Sequence, residues 1–301
     1  MNRINADKVI YTFEPTMEPA IKINPGEEII VETNDCFFQQ INSEDQVLME
    51  IDFDMINPAT GPIYIEGAEV GDLLKVEIQK IIVKNKGVAA VVPGEGVLGD
   101  MANKPIVKVF PIQDGYAMFK DLKLPISPMI GVIGVAPSEL EGPCPTQTPW
   151  KHGGNMDTTD IKEGSTLFFQ VNQKGGLLAL GDCHAMMGDG EICFTGLEIP
   201  AEVTLKVDVI KQKAINWPLL KTTSHTMIVA SGETIEDSIY SGTKEAVRIL
   251  SKVLNLSFEE AYLLTSISVD IKVSQVVDPK KTIRASIPNW LIGTEDLIGR
   301  L

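Results

Sequence analysis

The chain is short of the residues that mark several common protein classes. It has four cysteines in 301 residues, Cys36, Cys144, Cys183 and Cys193. None forms a Cys-x-x-Cys pair, so no thiolate zinc motif is present and the four read as thiols of a reducing compartment. Histidine is scarcer still, with three in the chain. Basic residues number 26 against 41 acidic ones, giving a net charge of −15 and a pI near 4.7. That balance argues against a nucleic-acid partner and against an anionic membrane surface. It leaves a small neutral ligand open. No apolar run approaches the roughly 18 residues of a membrane helix, and the polar start Met1 to Lys8 lacks the apolar core of a secretory signal. The expectation is a cytoplasmic protein. There is no Gly-x-Ser-x-Gly elbow for a serine nucleophile. The glycine-rich stretch Gly94 to Gly99 is followed by no lysine or helix start of a phosphate loop, and reads as a surface loop. No internal repeat, low-complexity tract or flexible linker interrupts the chain.

What is present is an ordinary globular composition, 44% hydrophobic and 22% charged, in which disorder is not expected. The first 230 residues read as short strands between Gly/Pro turns. Ile29 to Thr33 follows the turn Asn24-Pro25-Gly26. Val76 and Ile78 alternate with Lys75, Glu77 and Gln79, and Thr166 to Val171 and Ala201 to Val209 alternate in the same way. Prolines 125, 128, 137, 143, 145 and 149 point to long loops rather than helices. The character changes near residue 231. Thr234 is placed to cap a helix running to about Leu254, with Glu236 and Asp237 at its positive end. Ile235, Ile239, Ala246, Val247, Leu250, Val253 and Leu254 share one face, while Gly242 weakens its middle. Ser257 with Glu260 forms a capping box for a second helix over about 258 to 266, and Ser268 to Ser274 alternates as a strand. The expected architecture is mainly β with an α+β part: a β-sandwich or distorted barrel over residues 1–230, and a helix-helix-strand subdomain over 231–301 packed on it.

Chemistry concentrates in Gly181-Asp182-Cys183-His184-Ala185-Met186-Met187-Gly188-Asp189-Gly190-Glu191, which follows the apolar run Leu177 to Leu180. Carboxylates and an imidazole beside a buried strand are costly unless paired, protonated or bound to a cation. On an extended strand Asp182 and His184 share one face and Cys183 faces away. One imidazole with one carboxylate begins a first-row metal site, and Gly188 and Gly190 permit a turn that returns Asp189 and Glu191 toward it. Read alone, the same residues also suit a polar hairpin tip. In His152-Gly153-Gly154-Asn155-Met156-Asp157, the glycines suit a loop wrapped around a ligand, Asn155 suits an amide or carboxylate, and Asp157 suits a cation; Asn and Asp are also common turn formers. Asp35 is a further carboxylate candidate or an Asx-turn residue. Glu141 and Glu198 are acid–base candidates or solvated charges, and His225 reads as a hydrogen-bonded structural histidine. A thiol–imidazole pair of Cys183 and His184 needs an irregular backbone, since neighbours on a strand diverge.

Asn57-Pro58-Ala59-Thr60-Gly61-Pro62-Ile63, Glu66-Gly67-Ala68, Gly71-Asp72, Pro128 to Ala136, His152 to Asp157 and Gly181 to Glu191 occur in the order seen in the acetamidase/formamidase family. On these motifs the chain resembles that family from about residue 5 to 295. The resemblance implies hydrolysis of a short aliphatic amide such as acetamide or formamide to carboxylate and ammonia. It also implies a homo-oligomer, dimer or larger, and divalent cations in or near the site. Amide chemistry then suggests metal-activated water, with zinc first and calcium or magnesium as alternatives. Asp182 and His184 are the expected metal ligands, with Asp157 and Asp35 as further ones. Glu191 is the first choice for proton shuttle, with Glu198 and Glu141 in reserve, and His152, Gly153, Gly154 and Asn155 are expected to bind substrate. Two other readings compete: a thiol amidase using Cys183 or Cys193, and a metal-dependent sandwich that binds a small ligand without turning it over.

Overall fold

The computed structural model describes residues 2–46 and 50–301. Two sheets face each other across the main core. The larger has nine strands, in the order Asn2–Ile4, Glu28–Glu32, Ala201–Ile210, Leu73–Val83, Thr166–Gln170, Leu219–Lys221, His225–Gly232, Lys281–Pro288 and Asp270–Gln275. All its pairs are antiparallel except the first, where Asn2–Ile4 runs parallel to Glu28–Glu32. The second runs Gly153–Asn155, Met129–Gly134, Leu178–His184, Ala59–Ile65 and Val9–Ile10, with Ile21–Ile23 parallel to Ala59–Ile65. Alternation produces the join. In Ala201–Ile210, Val203, Leu205 and Val207 are buried while Glu202, Thr204 and Lys206 are half-exposed. The buried set meets Ile63, Ile65, Ile130, Ile133, Leu178 and Leu180 of the opposing sheet in one apolar cluster. This is the mainly β body with C-terminal helices expected from the patterning.

A four-stranded layer, Lys86–Val91, Ile106–Gln113, Tyr116–Phe119 and Leu122–Pro125, lies beside the sandwich. It meets the functional region through Val88, whose backbone exchanges hydrogen bonds with Glu198 at 2.8 Å each way.

Helix α1 (Ile235–Leu254) and helix α2 (Phe258–Ser268) each open with a complete capping box, Thr234 with Asp237 and Ser257 with Glu260. Helix α1 lays Ala246, Val247, Ile249, Leu250 and Val253 on Ile228, Ala230, Ile283, Ala285 and Ile287 of the large sheet. Gly242 allows that approach, since a Cβ there would lie 2.7 Å from Ile283 Cδ1. A strand, Lys281–Pro288, and a short helix α3 (Thr294–Arg300) complete the C-terminal part beyond the elements expected from sequence. Residue 230 lies inside the strand His225–Gly232, which pairs along its whole length with Lys281–Pro288. No helix among the described residues is long and apolar enough to cross a membrane.

Candidate active site

The strand Leu178–His184 carries the centre of the site, and its shape depends on one backbone dihedral. Leu178 and Leu180 face the main core, so strict alternation would send Asp182 there as well. Instead Asp182 adopts φ +50°, in the left-handed region. Aspartate tolerates that region better than most residues. The parity shifts, Cys183 joins the core cluster, and Asp182 and His184 turn together to the other side.

Four buried carboxylates surround the His184 imidazole. Its Nε2 lies 3.2 Å from Glu198 Oε2, 3.4 Å from Asp182 Oδ1, 3.8 Å from Asp157 Oδ1 and 3.9 Å from Glu191 Oε1. Asp157 arrives from the turn after Gly153–Asn155, where the Met156 N–H donates to the Gly131 carbonyl. Glu191 arrives from the Gly188–Gly190 turn, and Glu198 from a segment bridged to both His184 and Val88. Space for the cluster comes from two glycines. A Cβ at Gly131 would lie 2.5 Å from Asp157 Oδ1, and one at Gly196 would lie 2.7 Å from His184 Nδ1. Strain gathers here too: Asn57, Asp157, Asp182, Glu191 and Phe194 all have positive φ, at +51°, +38°, +50°, +48° and +86°. Non-glycine residues in that region cost free energy that surrounding structure must offset, and they concentrate at functional sites.

Asp182, Glu191 and Glu198 of the cluster line a cavity of about 360 Å³. Asn57 Nδ2 donates to Asp182 Oδ2 at 3.2 Å, and Asn155 Nδ2 donates to Asp278 Oδ1 at 3.2 Å. Burial raises these carboxyls, and each feels the others: Asp157 is pushed up to about 6 and Glu198 to about 8. Glu191 and Asp278 are raised well above the usual carboxylate range for the same reasons. Burial alone would lower His184, but Glu198 and Asp182 hold it well above the ordinary imidazole value. Among the described residues both His184 nitrogens, both Asp157 oxygens, Asp182 Oδ1 and Glu198 Oε2 are buried without a hydrogen-bond donor or acceptor. Such atoms are costly unless something fills the gap between them. Nitrogen and oxygen donors converging in this way suit a divalent cation. Asp157, His184 and Glu191 form one group able to hold a metal, and Cys36, Asp182 and Glu198 form another, the donor atoms of each lying within 4.8 Å of one another.

Most other residues singled out from sequence lie away from the cavity. Asp35 is buried, accepts from the Gln39 N–H at 2.7 Å, and lines a separate cavity. Its neighbour Cys36 faces the cluster instead. The His152 ring is buried against Phe13 with centroids 5.0 Å apart, and burial pushes it down to about 3. It does not line the cavity. Gly153 and Gly154 pair with Gly134 and Ile133 and place Asn155 at the cavity wall. Glu141 lies outside the cavity, bonded to Ser138 and 3.7 Å from Lys151. Asp189 turns away to bond Arg284 at 2.5 Å and Thr159 at 2.7 Å. Cys183 is buried in the core and pushed up to about 12 by that burial, and Cys193 is exposed and does not line the cavity. Asp278, Cys36 and Gln147 are cavity residues that sequence reasoning missed. Asp278 sits in an Asp-Pro turn between two C-terminal strands, with no nearby motif to mark it.

Fold and site together define a β-sandwich protein with a buried acid–imidazole cluster at a small polar cavity. The chain belongs to the acetamidase/formamidase family, whose model matches residues 3–141 and 141–292. The crystal structure of an acetamidase from Bacillus halodurans superposes with a TM-score of 0.93 and 45% identity, covering 96% of this chain and 98% of that one. A predicted acetamidase/formamidase from Thermoanaerobacter tengcongensis superposes with a TM-score of 0.95 and 45% identity over 100% of this chain and 98% of that one. The formamidase of Methylophilus methylotrophus is 27% identical over 257 residues, 66% of this chain and 63% of its own length. The chain thus spans less than two thirds of that curated relative.

Proposed function

We propose that the protein hydrolyses the C–N bond of linear amides, acetamide and formamide among them: RCONH₂ and water give RCOO⁻ and NH₄⁺. The observation that carries this reading is the convergence of Asp157, Asp182, Glu191 and Glu198 on His184 beside a cavity that Asp182, Glu191 and Glu198 line, their polar atoms largely unpaired. The family and its amidase relatives supply the reaction.

An amide is a poor electrophile and ammonia a poor leaving group, so carbonyl, water and nitrogen all need help. A divalent cation held by His184, Asp157 and Asp182 would polarise the carbonyl and lower the pKa of water from 15.7 toward about 7. Zinc is the identity we propose first, because of the imidazole; calcium and magnesium suit the carboxylates. Asp35, which faces another cavity, is not part of the proposed ligand set. The chain's own residues do the rest. Glu191, whose proton affinity is raised by burial and by Asp157, takes a proton from the attacking water and passes it to the leaving nitrogen. Glu198 is the reserve for that role; Glu141 drops out of the proposal because it lies outside the cavity. Asn155 has an unpaired side-chain oxygen among the described residues, and this accepts from the substrate N–H. Asn57 fixes the Asp182 carboxylate. A homo-oligomer and a cytoplasmic setting belong to the same proposal.

Ammonia release from formamide, acetamide and propionamide tests the reaction, with the protein treated by chelator or by iodoacetamide. The proposal expects activity lost to the first and retained after the second. The reverse pattern would favour a thiol amidase. No release from any of the three, with metal bound, would favour a binding role.

A further inference from the structure

The cavity beside the cluster is larger than acetamide needs. Its volume is about 360 Å³, whereas water occupies about 30 Å³ in the liquid and a four-heavy-atom amide on the order of 100 Å³. Most of the cavity is left over once the carboxamide is seated.

The surplus space has a definite chemistry. Besides the carboxylates and asparagines, the lining includes Phe37, Phe53, Ile56, Phe194, Val277 and Pro279. Phe194 holds this place at φ +86°, a strained conformation for a phenylalanine, with its N–H donating to the Glu191 carbonyl at 3.0 Å. Val97, 56% exposed, donates its N–H to the carbonyl of Ile192, 62% exposed, and Phe53 is 44% exposed. The glycine-rich segment that carries Val97 also places Glu95 on the cavity wall. Among the described lining residues the one basic side chain is Lys281, whose Nζ donates to the Asp278 carbonyl at 2.6 Å. An anionic substituent would meet the five carboxyl groups of Glu95, Asp182, Glu191, Glu198 and Asp278 against the single ammonium of Lys281.

We propose that the site is shaped for primary amides whose acyl group is uncharged, apolar and well beyond acetyl in size, of about hexanoyl or phenylacetyl dimensions. The carboxamide sits against the cluster, and the acyl group lies along Phe37, Phe53, Ile56 and Phe194. This inference rests on the amide-hydrolysis reading above and narrows its substrate class. Each methylene seated in an apolar pocket changes selectivity about 10- to 200-fold at best, so a partly open wall is expected to give at least a ten-fold gain over the series.

The test is ammonia release by the metal-loaded wild-type protein on formamide, acetamide, hexanamide, phenylacetamide and succinamate. The expected result is a kcat/KM at least ten-fold higher for hexanamide and phenylacetamide than for acetamide, with succinamate no better than acetamide. Turnover of formamide and acetamide with equal or lower values for the larger apolar amides overturns the inference and leaves the amidase reading standing. Succinamate outrunning phenylacetamide also overturns it. Failure of every amide, with metal content verified, removes the amidase reading and this inference with it. Two variants locate the acyl group: Ile56→Trp, which fills the wall, and Phe53→Ala, at a half-exposed position that tolerates truncation. Each is expected to lower the phenylacetamide-to-acetamide ratio of kcat/KM at least three-fold. Wild-type ratios in both folded variants contradict the placement.

Discussion

At the scale of single residues, the site depends on groups that are not themselves reactive. Gly131 and Gly196 leave the space that Asp157 and His184 occupy. Gly131→Ala would drive a methyl into the Asp157 carboxylate, and is expected to lower bound metal per chain together with activity by at least about ten-fold, read by elemental analysis and ammonia release. Glu191→Gln separates roles: kcat is expected to fall about 10²- to 10⁴-fold while metal binding persists. Unchanged turnover would remove Glu191 from the mechanism. The shifted carboxyls give a pH prediction. Asp157 and Glu198, at about 6 and about 8, bind their protons more tightly folded than unfolded. His184 is shifted the same way. Folding of the metal-free protein therefore takes up protons, and stability present near pH 4 is lost as pH rises through about 6 and then about 8. Thermal melts of chelated protein should fall by at least about 5 °C between pH 5 and pH 9. Added divalent cation should reverse most of that loss, because it takes the place of the protons. A melting temperature that rises with pH in the chelated protein would contradict the shifts.

At the scale of elements, much was legible and the reasons for the rest are specific. A capping threonine at 234 and a capping box at Ser257 announced both helices, since a cap is local chemistry written in four residues. Alternation in Ala201–Ile210 announced its buried face. The same periodicity correctly set Asp182 and His184 together and Cys183 apart, although the strand achieves this through a left-handed Asp182 that no pattern showed. Asp278 was invisible because its partners are distant: its carboxylate meets Asn155 across 123 positions of sequence. Asp35, a ligand candidate or turn residue by sequence, turns back to accept from the Gln39 N–H, and its neighbour Cys36 reaches the cavity. Arg284 is a further element-scale surprise. It is 1% exposed on the strand Lys281–Pro288 and binds Asp189, Thr159 and the Val273 carbonyl. Those bonds, with Gly190 N–H to the Ser274 carbonyl at 2.7 Å, tie the turn bearing Glu191 to the C-terminal strands. Arg284→Met leaves the 48%-exposed Asp189 free to reach water, so the expected loss lies at the lower end of the roughly 3–5 kcal/mol for breaking a buried pair. Calorimetry reads the stability, and the accompanying drop in kcat should exceed any rise in KM.

At the scale of the whole molecule, the C-terminal segment is part of the site as well as of the fold. Its strands complete the nine-stranded sheet, and Asp278 and Lys281 line the cavity. The division near residue 230, read from a change in patterning, is thus a change in local structure that we propose does not mark an independently folding unit. A 1–230 fragment would expose Ile228 and Ala230, now covered by α1 and its neighbouring strand. It is expected to be insoluble or to show non-cooperative melting, whereas a soluble fragment with a sharp transition would restore the two-domain description. The central claim is that this cluster binds a divalent cation on which amide hydrolysis depends. Its most direct test is elemental analysis and ammonia release, measured on one sample before chelation, after it and after reloading with zinc. The account predicts that metal per chain and rate fall together and return together; full-rate hydrolysis by protein stripped of metal would contradict it.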